Sequence, residues 1–93
     1  MIVHPFPFER PADKSRELLN GIQYRFNFDN GYGASVIQHD GSYGSDLGLW
    51  EIAVTDHDGN LDYDSGITDD VIGRLTELEV ARYLEMICRL EDK

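Results

Sequence analysis

The chain has 93 residues, 41% of them hydrophobic and 11% aromatic, and carries 18 Asp plus Glu against 8 Lys plus Arg, a formal net charge of −10. That length accommodates one domain, residues 1–93, and the aromatic content argues against global disorder. The acidity opposes direct nucleic-acid binding and adhesion to an anionic membrane, since both begin with Lys and Arg neutralising phosphates, and the single cysteine excludes an intrachain disulfide framework and a cysteine-based zinc cluster.

Residues 1–8 are apolar but broken by Pro5 and Pro7, with no basic segment before them and no small-residue cleavage site after. They read as the start of an extended N-terminal arm, residues 1–10, and not as a signal peptide or a membrane span. No other stretch reaches the roughly 18 uncharged apolar residues of a spanning helix, which points to a soluble, cytoplasmic protein. Phe6 and Phe8 either cap the core or dock on a partner, and capping is the favoured reading because large apolar groups are seldom left exposed.

Residues 11–21, with Pro11 near the start and Gly21 just past the end, read as a short helix or turn. Residues 22–28 alternate strictly: Ile22, Tyr24, Phe26 and Phe28 fall on one face, Gln23, Arg25 and Asn27 on the other. Asp29, Asn30 and Gly31 tolerate positive φ and join this strand to a second, residues 32–38, whose apolar set is Tyr32, Ala34 and Val36. Residues 39–48 form a long glycine-rich loop. A third strand, residues 49–55, turns Trp50, Ile52 and Val54 inward and Glu51, Ala53 and Thr55 outward. The turn over residues 56–60 leads to a short fourth strand, residues 61–64, with Leu61 and Tyr63 inward and Asp62 and Asp64 outward. The remainder reads as helical. Thr68 caps a first turn bearing Asp69 and Asp70, and Thr76-Glu77-Leu78-Glu79 is a capping box opening a helix with Val80, Tyr83, Leu84, Ile87 and Leu90 on one face. The expected fold is α+β: a four-stranded antiparallel meander packed on one face by the C-terminal helix, preceded by the short N-terminal helix or turn.

The charge is polarised along the chain. Residues 1–28 carry a net charge of +1 and residues 29–93 hold −11. Between Arg25 and Arg74 there is no Lys or Arg, yet ten acids. Solubility alone accounts for such a surface, and Asp is also a common turn residue. The sharper reading is an electrostatic face for a protein with a basic surface, with carboxylates taking the place of phosphates. The residues assigned to it are Asp46, Glu51, Asp56, Asp58, Asp62 and Asp64, together with Tyr43, an aromatic at the centre of the long loop with no periodic reason for burial.

Motifs for chemistry are weak. Residues 56–62 have the alternating oxygen ligands of a calcium loop, but Leu61 stands at the required glycine and Ile67 at the bidentate acid, so a plain turn is the better account and calcium binding there would be weak. His39 and His57 lie beside aspartates without a third ligand at a fixed spacing. Cys88, late in the helix, has no adjacent base and reads as an inert buried thiol. No nucleophile elbow and no phosphate-cradling loop is present. The expectation is a non-enzyme without cofactor or bound metal.

With these elements placed, the runs at residues 28–37, 49–54 and 67–73 resemble those of small uncharacterised tailed-phage proteins, over residues 22–90. The resemblance brings no catalytic or ligand-binding residues. It implies expression in the cytoplasm of a bacterial host and action by binding, modulating or inhibiting a host protein, with nucleic-acid mimicry of the anti-restriction or anti-CRISPR type its most concrete form. The alternative is a virion structural or assembly protein forming a homo-oligomer through its sheet edge or apolar arm.

Overall fold

The computed structural model describes residues 2–18, 20–38, 48–56, 58–61 and 71–91. It is α+β. Five strands, β1 (Lys14–Leu18), β2 (Gly21–Asn27), β3 (Tyr32–Gln38), β4 (Trp50–Asp56) and β5 (Ile72–Leu75), form one antiparallel sheet in the order β1-β2-β3-β4-β5, followed by helix α1 (Glu77–Cys88).

The sheet has one strand more than its periodicity suggests, and two segments need correction. Residues 14–18 are not a helix or turn but an edge strand, paired from Lys14 opposite Arg25 to Leu18 opposite Gly21. Asn20, at φ 63°, carries the connection between them. The proposed fourth strand at 61–64 is represented among the described residues only by Leu61, which bridges Thr55. The strand beside β4 is instead residues 72–75, inside the stretch read as helical. Its register opposes Trp50 to Leu75 and Ile52 to Ile72, so Gly73 and Arg74 together face Glu51 alone, and Arg74 takes φ 60°. This is a β-bulge, and the extra residue breaks the two-residue period by which a strand is recognised. The expected cap at Thr68 lies outside the described residues.

Elsewhere the alternation holds. Phe26, Phe28, Ala34, Val36, Trp50, Ile52 and Val54 are buried on one face, with Ile22, Tyr24 and Tyr32 packed beside them. Val80, Ala81, Leu84 and Ile87 of α1 pack onto that inner face over β3, β4 and β5. A helix is about 10 Å across and strands are spaced about 4.8 Å, so one helix covers only two or three of five strands. The arm covers the rest. Phe6 is 4% exposed and meets Trp50 edge-on at 4.8 Å between ring centroids and Tyr24 at 5.7 Å. Phe8 meets Phe26 and Phe28 the same way at 5.9 and 6.1 Å. His4 fastens the arm: its Nδ1 accepts from Phe6 N at 3.2 Å, which leaves Nε2 to donate to the Arg10 carbonyl at 2.6 Å. An antiparallel bridge between Ile2 and Ala12 closes the arm on itself.

The capping box forms as its spacing predicts. Glu79 N donates to Thr76 Oγ1 at 3.2 Å and Thr76 N donates to Glu79 Oε1 at 3.0 Å. The Thr76 hydrogen bonds, backbone first and side chain second, hold the Glu79 carboxyl below its usual range. A carboxyl depressed in the folded state adds stability above its unfolded pKa, and that contribution is lost as pH falls through the folded value. At the other end of α1, Asn30 from the β2–β3 turn is 7% exposed, and its Nδ2 donates to the carbonyls of Ile87 at 2.9 Å and Leu90 at 3.1 Å. Its Oδ1 accepts from Tyr32 N at 3.0 Å. One side chain thereby shapes its own turn and binds two carbonyls at the C-terminal end of α1, of which that of Ile87 also accepts from Leu90 N at 3.2 Å.

Candidate functional site

The face of the sheet opposite α1 and the arm is lined by the alternate residues of each strand. Register places Lys14 and Arg16 of β1 beside Arg25 and Gln23 of β2, Ser35 and Ile37 of β3, and Ala53 and Glu51 of β4. Outward does not always mean exposed here. Thr55 is 1% exposed and Ala53 7%. At the end of the sheet, Asn27, Gly33 and Thr55 stand side by side, and a Cβ on Gly33 would run into the Phe26 carbonyl and lie 2.7 Å from Thr55 Oγ1. Only glycine lets the neighbouring side chains close over that position.

Asp56 and Asp58 share one turn, and they do different work. Asp56 is half-buried, and its Oδ1 accepts from Asp58 N at 2.9 Å and from Asn60 N at 3.0 Å. Backbone bonds from Gly59 N to the Asp56 carbonyl and from Asp56 N to the Asn60 carbonyl complete the turn. The Asp56 carboxylate thus holds backbone groups in the way turn aspartates commonly do. Asp58 is exposed at the tip. Glu51 is half-buried on the outer face, and five residues of strand separate it from Asp56, about 17 Å. The described carboxylates therefore do not converge: Asp56 and Asp58 lie at one end of β4 and Glu51 near the other. Tyr43, Asp46, Asp62 and Asp64 lie outside the described residues, as do His39 and His57. Among the described residues no group of three or more His, Cys, Asp or Glu is arranged to hold a metal.

Two further acids share the Asp56 end of the sheet. Asp29 is exposed in the β2–β3 turn, and Asp13 Oδ2 accepts from Asn27 N at 2.6 Å. Reading residues 14–18 as a strand would have brought Asp13 to this end. Cations temper it: Arg10 lies over the Phe28 ring at 5.8 Å, and the Arg25 guanidinium lies against Gly59.

Cys88 is half-buried, not fully enclosed, and its Sγ lies 3.2 Å from the Glu85 carbonyl. Burial and the Glu85 carboxylate push the thiol up, which keeps it protonated and weakly nucleophilic. No helix among the described residues is long and apolar enough to cross a membrane. No family model matches the chain, and no curated protein or solved structure is similar to it.

Proposed function

We propose that the protein is a small non-enzymatic binding domain that acts by contact with a protein bearing a basic surface, as phage accessory proteins that modulate or inhibit a host factor do. The observation that carries this reading is the polarity of charge, −11 over residues 29–93 with no Lys or Arg between Arg25 and Arg74. A field of that sign accelerates encounter with a cationic surface and repels nucleic acid and anionic lipid. Asp29 and Asp58, both exposed in neighbouring turns, give the field a place to act.

The competing reading, a virion structural or assembly protein, has less support. Both sheet edges oppose strand addition: β1 presents Lys14, Arg16 and Glu17, all exposed, and β5 is four residues long with a bulge. Of the two phenylalanines of the arm, Phe6 is buried in the core and Phe8 is half-buried against it.

Capture from bacterial lysate tests the proposal. A protein partner is expected to bind at low salt, to be released at high salt, and to be lost when Asp58, Asp62 and Asp64 are together changed to Lys, because exposed charges act within a Debye length. Retention by the charge-reversed variant at low salt, or a stable symmetric oligomer with no other partner, would overturn it.

A further inference from the structure

We infer that the outer face of β1 and β2 is a binding site for the phosphate group of a small molecule, built from Lys14, Arg16 and Arg25. In an otherwise acidic chain these cations are gathered by strand register. Lys14 stands directly opposite Arg25, and Arg16 opposite Gln23, so the three occupy one cross-strand block with opposed Cβ atoms about 5 Å apart. Like charges placed opposite one another weaken strand pairing. Among the described residues none of the three is in a salt bridge. No ion pair among the described residues therefore offsets the cost of placing them together, whereas a bound anion would.

The cluster is also held in place. Arg16 Nε donates to Gln23 Oε1 at 2.6 Å, and Gln23 Nε2 donates to Ser35 Oγ at 2.7 Å. This relay across three strands uses the Arg16 Nε and leaves its two terminal nitrogens as a fork. The Arg25 guanidinium lies so close over Gly59 that a Cβ there would collide with it, and Gly59 itself sits at φ 87°. The backbone at that position calls for glycine. Between these side chains and Lys14 runs a groove of about 230 Å³, open to solvent and floored by β1 and β2.

The charge count selects the ligand. A single carboxylate would neutralise one of three cations, whereas a phosphate monoester or diphosphate brings two or more charges and several acceptor oxygens to the guanidinium forks. A long polyanion is disfavoured, because the net charge of −10 repels it beyond the reach of this patch. A small phosphate compound fits within that reach. The site adjoins the turn of Asp56 and Asp58 where Arg25 lies against Gly59, but its cations would hold an anion whether or not the acidic turns bind a partner.

Titration of the labelled protein, followed by amide and arginine side-chain NMR signals at constant ionic strength, tests the inference. Phosphate and pyrophosphate are expected to give saturable shifts centred on residues 14–16 and 23–25, with pyrophosphate tighter by roughly tenfold, and acetate to give none. Ribose 5-phosphate binding more tightly than inorganic phosphate identifies an organic ester as the ligand, and the reverse order the free ion. The exposed substitutions Lys14→Met and Arg16→Met should each weaken pyrophosphate by roughly fivefold or more with the amide spectrum otherwise preserved. Non-saturable shifts of equal size in acetate and phosphate would overturn the inference even without a variant, as would unchanged affinity in both variants.

Discussion

Replacing Phe6 with alanine is expected to destabilise the domain by about 3–5 kcal/mol, the range for truncating a buried phenylalanine. The reason is architectural. α1 packs chiefly over β3, β4 and β5, and the aromatic rings of β2 are met by the arm. Phe6 is the lid on that half, in edge-to-face contact with Trp50 and Tyr24, so its loss opens a cavity beneath residues that cannot collapse into it. Urea unfolding should show a lower midpoint with an unchanged slope. Phe8→Ala should cost less, since Phe8 is half-buried. A Phe6→Ala variant as stable as the parent would mean that the arm is not part of the core.

Asn30→Ala is expected to cost about 2–3 kcal/mol. The Leu90 carbonyl loses the Asn30 donor, the Ile87 carbonyl keeps the bond from Leu90 N but loses the buried one from Asn30, and Tyr32 N loses the Asn30 acceptor. Asn30→Asp keeps the shape and the acceptor for Tyr32 N but places a carboxylate against the negative end of the helix dipole. It should be the worse of the two at neutral pH, and the gap should narrow as the introduced carboxyl is protonated on acidification through about pH 4. Thermal unfolding of both variants across that range measures the difference. An aspartate variant no less stable than the alanine variant at pH 7 would show that the helix end does not sense the charge.

Where local pattern and tertiary role coincide, the fold is legible in the sequence. β2, β3 and β4 show their apolar residues at every second position because the inner face is buried, although Ala53 and Thr55 on the outer face of β4 are buried too. The Thr76 capping box marks the start of α1 because its two hydrogen bonds are local. β1 carries the polar run Lys14-Ser15-Arg16-Glu17, whose strand state comes from pairing with β2 and not from any period of its own. β5 is short and bulged, so no alternation could reveal it. Among site residues, Asp56 and Asp58 are legible as a turn, but that Asp56 binds its own backbone depends on the turn's geometry. The cationic block of Lys14, Arg16 and Arg25 becomes visible only with the register, because residues 14 and 25 are distant in sequence. Asn30 reads as a turn residue, and its role as the donor to α1 spans 57 and 60 residues of chain.

The order β1-β2-β3-β4-β5 has a kinetic consequence. Each strand pairs only with its sequence neighbours, so every closure joins adjacent segments, tight from β1 to β2 and from β2 to β3 and longer from β3 to β4 and from β4 to β5. The entropic cost grows only slowly with that length. The contacts that reach far along the chain include those of the arm with Trp50, of α1 with β3 and of Asn30 with the end of α1. They gain their partners only once the meander exists, and so they form last. The same contacts define the cheapest local opening of the native state, in which the arm lifts from the aromatic half of the inner face while the sheet stays paired.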